Sequence, residues 1–156
     1  MDLTQCPPFV EKPLLHGLLN GSIPVAAPYI LLAELINGLG MVMAIVLVVD
    51  DEVLIRMNAA DLVEEAGVTA LEAANADEAI QTLVTRSDIY AVFSDVQMPG
   101  TMDGVRLLQV IRDRWPPVRL VLTSGKSLPE DADLPNGSVF VPKPYGIEEV
   151  RAALLQ

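Results

Sequence analysis

Cysteine and histidine are all but missing from this chain. Cys6 is its one cysteine, so no intrachain disulfide can form, and His16 is its one histidine. Together they fall short of a standard zinc set. A reducing, cytoplasmic setting is the simplest home for such a chain. Positive charge is scarce as well. Ten Lys and Arg face 21 Asp and Glu, a formal net charge of −11 at pH 7. Direct nucleic-acid binding needs a basic footprint, and this balance argues against one. Long apolar runs are absent too. A membrane span needs about 20 apolar residues, and Pro24, Pro28, Glu34 and Asn37 interrupt the best window, from Ile23 to Ile36. A secretory signal opens with basic residues, whereas here Asp2 comes first and Lys12 is the only positive charge before residue 44. What the chain has in plenty is apolar residues, 51% of 156, enough for one packed domain. Its acidity suits Mg²⁺ or a basic protein surface as partner.

The acids are placed with a pattern. Asp50 and Asp51 close the apolar run Ile45 to Val49. Asp95 closes a second run, Ala91 to Phe93, with only Ser94 between. Thr123 ends Leu120-Val121-Leu122-Thr123, ahead of Ser124-Gly125, and Lys143 follows Val139-Phe140-Val141-Pro142. In an open parallel sheet, sites are built at the carboxyl ends of strands. Three carboxylates gathered there repel strongly at low effective dielectric. A cation, a pKa shift or a function must compensate. Three acids, a hydroxyl and a lysine make a site for a hard divalent cation and a phosphoryl group.

From Ala44 onward strand-like and helix-like segments alternate. Strands are predicted at 44–49, 69–73, 90–93, 118–123 and 138–141. Helices are predicted at 53–66, 77–85, 102–114 and 147–155, with Gly67 capping the first and Pro116-Pro117 ending the third. Such alternation gives a parallel sheet with right-handed crossovers. The expected architecture is an α/β, flavodoxin-like, doubly wound five-stranded sheet of order 2-1-3-4-5. A regular alternation would put a fourth helix between residues 126 and 137. Pro129 and Pro135 bracket only five residues there, so that helix is expected to be shortened to a turn or a loop. Residues 1–43 are expected to be a separate, poorly ordered or peripheral extension, and 44–156 the domain. A membrane-surface or partner-docking helix at Tyr29–Leu39 is the functional alternative for the extension.

Asp50-Asp51, the stretch Ser94-Asp95-Val96-Gln97-Met98-Pro99-Gly100-Thr101-Met102-Asp103-Gly104, Thr123-Ser124-Gly125 and Lys143-Pro144 occur in one order at strand ends. Together they resemble the receiver domain of two-component response regulators, here of stand-alone type, over about residues 44 to 156. The resemblance implies that Asp95 is the phosphoacceptor, taking a phosphoryl group from a sensor histidine kinase or a histidine phosphotransfer protein. It implies Mg²⁺ bound by Asp51, Asp95 and the Gln97 backbone carbonyl, with Asp50 acting through metal-bound water. Lys143 would neutralise the transferring oxygens, and Thr123 and the Ser124 amide would hold the attached phosphoryl group. Thr123 and Phe140 would form the switch, and Lys143-Pro144 would be cis. Gln97 and Gly125 would flank the path of attacking water and tune the lifetime of the acyl phosphate.

The chain departs from the commonest family pattern in a loop one residue longer after Asp95, and in the eroded helix before Lys143. No fused effector is expected after Gln156. The expected protein is no enzyme beyond catalysing its own phosphorylation and dephosphorylation. Two alternatives stand beside it, a phospho-independent scaffold and a small-molecule aspartyl-phosphate phosphatase. Asp-Asp-Glu-Val at positions 50–53 disfavours the second, because such enzymes commonly carry Asp-x-Asp. Asp103 is expected to start a helix, Tyr145 to pack, and Arg112, Arg114 and Arg119 to form a solvated cluster.

Overall fold

The computed structural model describes residues 44–126 and 134–155. The chain runs β1 (Ile45–Val49), α1 (Val53–Glu65), β2 (Thr69–Ala73), α2 (Ala76–Thr85), β3 (Ile89–Asp95), α3 (Gly104–Arg114), β4 (Arg119–Ser124), β5 (Val139–Pro142) and α4 (Ile147–Leu155). All strand pairs are parallel and the order is β2-β1-β3-β4-β5. This is the expected doubly wound sheet. Residues 1–43, expected to form the extension, and 127–133, most of the segment expected to hold the shortened helix, lie outside the described residues.

Alternating side chains of the central strands feed two cores. Ile45, Leu47, Val49, Val92, Leu120 and Leu122 pack against α2 and α3 on one face. Val46, Val48, Phe93, Val121 and Val141 pack against α1 and α4 on the other. Every residue of β1 is buried, which is why its sequence is a continuous apolar run and does not alternate. Each large side chain buried in this way stabilises the fold by about 1.5–3 kcal/mol.

Element ends differ from the sequence prediction where polar atoms decide them. Strand β3 continues past Phe93 through Ser94 and Asp95, because both its neighbours still pair there; Val49 is opposite Ser94 and Thr123 opposite Asp95. Helix α3 begins at Gly104, two residues later than predicted, because Asp103 is its N-cap and accepts from the Arg106 amide at 2.8 Å. Helix α2 begins one residue early, behind Asn75. The Asn75 side chain accepts from the Glu78 amide at 2.9 Å, and Glu78 accepts from the Ala74 amide at 2.8 Å. Gly67 takes φ +93° after α1, the left-handed geometry that glycine adopts at little cost.

The solvated arginine cluster needs correcting. Arg114 is exposed, but Arg119 donates to the Ala153 carbonyl at 2.6 Å and Arg112 to the Pro116 carbonyl at 2.6 Å. Both guanidiniums tie the ends of elements together. Among the described residues no helix is long and apolar enough to cross a membrane.

Candidate functional site

The carboxyl ends of β1, β3, β4 and β5 deliver the predicted residues to one edge of the sheet. Asp50 leaves β1 at once and is 4% exposed. One of its carboxylate oxygens accepts from the Glu52 amide at 2.9 Å, so it also orders the start of α1. The other accepts from Lys143 Nζ at 2.9 Å. Asp95, the last residue of β3, is 8% exposed. Its Oδ1 lies 2.7 Å from the same Lys143 Nζ, and its Oδ2 accepts from the Gln97 amide at 2.7 Å. Lys143 itself is anchored by its backbone, its amide donating to the Ser124 carbonyl at 2.8 Å. The Lys143-Pro144 bond is cis, as the motif implied.

One ammonium thus bridges two buried carboxylates from different strands. Burial works to lower the Lys143 pKa, but hydrogen bonds to Asp95 and Asp50, reinforced by their charges, outweigh it and the net shift is upward. Thr123 is buried beside Asp95, its register partner. The Ser124 hydroxyl accepts from the Lys126 amide at 3.0 Å, which shapes the loop after β4. Asp51 is half-buried at the mouth and, among the described residues, has no hydrogen-bond or ion-pair partner. Phe140 is set apart from this group. It pairs with Leu122 and packs, partly buried, on the α2/α3 core.

All donors at this edge are hard oxygens. Among the described residues no three acidic or histidine side chains converge into a ready metal cage. Lys143 fills the space between Asp50 and Asp95. A sparse oxygen set of this type fits Mg²⁺ better than Ca²⁺, because Mg²⁺ keeps several waters and takes only one or two carboxylates.

Two neighbours escaped the sequence. Arg56, the one basic residue of α1, donates to the Asp50 carbonyl at 2.6 Å and to Glu72 at 3.0 Å, clamping β1 to β2 behind the acids. A lone arginine on a helix otherwise free of basic residues was the available signal. Tyr145 packs as expected, edge-on to Phe93 with ring centres 5.3 Å apart. It is also electrically part of the site. Burial raises its phenol pKa, with smaller effects from Lys143, Asp50, Thr123 and Asp95.

Lys143 and Tyr145 both have folded pKa values above their ordinary ones. Their contribution to stability is complete below the unfolded values near pH 10 and is lost as pH climbs through the folded values. Urea midpoints are therefore expected to fall above about pH 10, and to fall less steeply in Tyr145→Phe. A midpoint flat into that range would contradict the bridging geometry.

Comparison with known proteins covers the same span as this geometry. The family model of the response regulator receiver domain matches residues 46–155. The sensor kinase CckA of Brucella abortus is 33% identical over 115 residues, which is 69% of this chain and 12% of that protein. The transcriptional regulator NtrC of Escherichia coli is 34% identical over 115 residues, 69% of this chain and 23% of that protein. The chain therefore spans under a quarter of either relative. Among solved structures, the receiver domain of hybrid histidine kinase CckA is 34% identical, with a TM-score of 0.58 over 72% of this chain and all of that one. A receiver domain protein from Clostridium thermocellum reaches a TM-score of 0.61 at 26% identity, over 72% of this chain and 91% of that one. The family match begins inside β1, ends inside α4 and encloses both bridged carboxylates and their lysine, so the chain belongs to the response regulator receiver domains of two-component signalling.

Proposed function

We propose that this chain is a phosphorylation-dependent signalling module in which Asp95 accepts a phosphoryl group from a histidine kinase or phosphotransfer protein and later loses it to water. The observation that carries the reading is the single Lys143 ammonium held between the buried Asp50 and Asp95 carboxylates, with Thr123 alongside.

In the forward step an Asp95 oxygen attacks the phosphorus of a phosphohistidine. A P–O bond forms, the P–N bond breaks, and the imidazole leaves with its electron pair. In the reverse step water attacks phosphorus in line, the bond from phosphorus to the Asp95 oxygen breaks, and the carboxylate and inorganic phosphate are restored. Bound Mg²⁺ would neutralise charge on the transferring oxygens, held by Asp51, Asp95 and the Gln97 carbonyl, with Asp50 reached through water. Lys143 is placed to move from Asp95 to a phosphoryl oxygen, because that oxygen takes over the charge it now pairs. Thr123 and the Ser124 amide complete the cradle. Phe140, on the neighbouring strand, is the proposed switch aromatic. A Thr123 rotation toward the phosphoryl group would open space for it.

The direct test is labelling with acetyl phosphate. Wild type is expected to label only with Mg²⁺, and Asp95→Asn not at all. Label that persists in Asp95→Asn would move the acceptor to another residue, and no label in wild type would favour the phospho-independent scaffold.

A protein donor needs a landing surface. Val53, Leu54 and Met57 on α1 are 56%, 80% and 50% exposed, directly after Asp50-Asp51. Apolar residues standing this far out beside a charged pocket suit a partner's apolar patch. Leu54→Asp is expected to slow transfer from a phosphorylated partner about tenfold, the effect of losing one well-buried anchor. Labelling by acetyl phosphate should stay unchanged. Equal loss with both donors would mean the substitution had damaged the site itself.

A further inference from the structure

The acids at the site are held in two different ways. Asp50 and Asp95 are each tied by their side chains, to Lys143 and to one backbone amide. Asp51 is half-buried, and among the described residues its carboxylate has no hydrogen-bond or ion-pair partner. Mg²⁺ demands near-octahedral geometry from its ligands. The direction of the Asp51 carboxylate must then be set by the backbone that carries it.

That backbone is held from behind. The Asp50 carbonyl is the oxygen of the Asp50–Asp51 peptide, and a peptide unit is planar. Fixing this oxygen fixes the amide and the Cα of Asp51 with it. Arg56 Nη1 donates to the oxygen at 2.6 Å, and Arg56 Nε donates to Glu72 at 3.0 Å. A guanidinium is a rigid fork, so both bonds are made in one geometry. The Arg56 side chain is only 12% exposed. The rest of the turn is pinned as well. The Asp50 amide donates to the Ala73 carbonyl at 3.3 Å, and the Glu52 carbonyl accepts from the Arg56 amide at 2.9 Å.

Joining β1 to β2 does not need this clamp, because the ladder already pairs them from Ile45 and Thr69 to Val49 and Ala73. Its charge is also managed. A lone cation behind a cation site would weaken binding there, and the Glu72 carboxylate offsets the guanidinium. Glu72 lies on β2, the edge strand of the sheet. Arg56 therefore reaches from the first turn of α1 to two strands, with the Asp50–Asp51 peptide between them.

We infer, on the reading that this edge binds Mg²⁺ for phosphoryl transfer, that Arg56 is a positioning residue for the metal site: its fork locks the Asp50–Asp51 peptide and so presents the Asp51 carboxylate in one orientation. Glu72 is its counter-anchor. Neither residue touches the reacting atoms.

Metal affinity is measured on the full chain with no phosphoryl donor present, by Mg²⁺ competing against Mn²⁺ whose free form is counted by electron paramagnetic resonance. Arg56→Met is expected to weaken Mg²⁺ binding about tenfold, the usual loss when a group that orients a metal ligand is removed. Arg56→Lys should weaken it comparably, because it keeps the charge and loses the fork. Glu72→Ala should act in the same direction by less. The Mg²⁺ concentration for half-maximal labelling by acetyl phosphate should rise by the same factor as the dissociation constant, while the plateau rate moves by no more than about twofold. Urea midpoints identify a variant that fails to fold. Glu72, with a side chain 44% exposed, then carries the test.

Wild-type Mg²⁺ affinity in the folded Arg56 and Glu72 variants would overturn the inference and leave a clamp that serves stability only. Tighter binding in Arg56→Met would overturn it too, since Arg56 would then act as a repelling charge. So would full affinity in Arg56→Lys, which would make the fork irrelevant. A wild type that neither binds Mg²⁺ nor labels would overturn the phosphoacceptor reading together with this one. A wild type that does both, beside variants equal to it, removes the positioning role alone.

Discussion

Lys143→Met is expected to damage this protein twice, in stability and in phosphoryl transfer. The wild-type ammonium is within 2.9 Å of Asp50 and 2.7 Å of Asp95, whose side chains are 5% and 10% exposed. Removing one partner from a buried charge cluster leaves the others without compensation and costs about 3–5 kcal/mol. Here two like charges remain, and each still has one backbone donor, the Glu52 amide for Asp50 and the Gln97 amide for Asp95. Those donors hold the carboxylates in place, so the repulsion cannot relax by rotation. The urea midpoint should drop sharply at neutral pH and recover in part with Mg²⁺ or on acidification, since a cation or a proton relieves the same repulsion. Labelling by acetyl phosphate should slow by about 10²–10³ even with saturating Mg²⁺, the usual effect of losing one fixed charge aimed at the developing negative charge. An unchanged midpoint with slow labelling would mean that Lys143 serves the reaction only. Unchanged labelling would overturn its assigned role.

Much of this arrangement was legible in the sequence, and the physical reason is burial. Strands β1 and β4 are covered on both faces, so their apolar runs announce them. The polar residues that follow those runs then fall at strand ends by necessity. Asp50, Asp95, Thr123 and Lys143 were readable as one site because topology alone gathers them. What was hidden rests on polar partners that no local pattern encodes. Ser94 and Asp95 belong to β3 because neighbouring strands still pair with them. Arg119 reads as a surface charge in the sequence, yet it reaches the Ala153 carbonyl, 34 residues away. Arg56 holds the Asp50 carbonyl through a contact that only the packing of α1 on β1 creates. Asp51 is the reverse case. Its sequence neighbour is bridged to Lys143, but it has no such contact itself, because successive residues leaving a strand point to different sides.

Gly104→Ala is the second large effect, and it tests whether the site depends on a backbone contact as much as on its charges. A Cβ built at Gly104 would fall onto the Asp95 carbonyl oxygen, 2.8 Å from the Asp95 carbonyl carbon and 3.0 Å from the Val96 Cα. All three neighbours are backbone, so no side-chain rotation makes room. The Gly104 amide also donates to the Val96 carbonyl at 3.0 Å, which pins the start of α3 against the end of β3. An added methyl must either push α3 off the sheet or move the Asp95–Val96 peptide. Overpacking of this severity costs about 3 kcal/mol. Moving the peptide tilts the Asp95 carboxylate away from the Gln97 amide and Lys143, and a shift of about 1 Å at a reacting group can slow a reaction 10²-fold. Gly104→Ala should therefore lose both stability and labelling rate. Gly125→Ala, where nothing lies within 4 Å of the new methyl, should keep its urea midpoint. Equal midpoints and labelling rates for Gly104→Ala and wild type would mean that α3 has room to retreat, and that the end of β3 holds Asp95 in place without it.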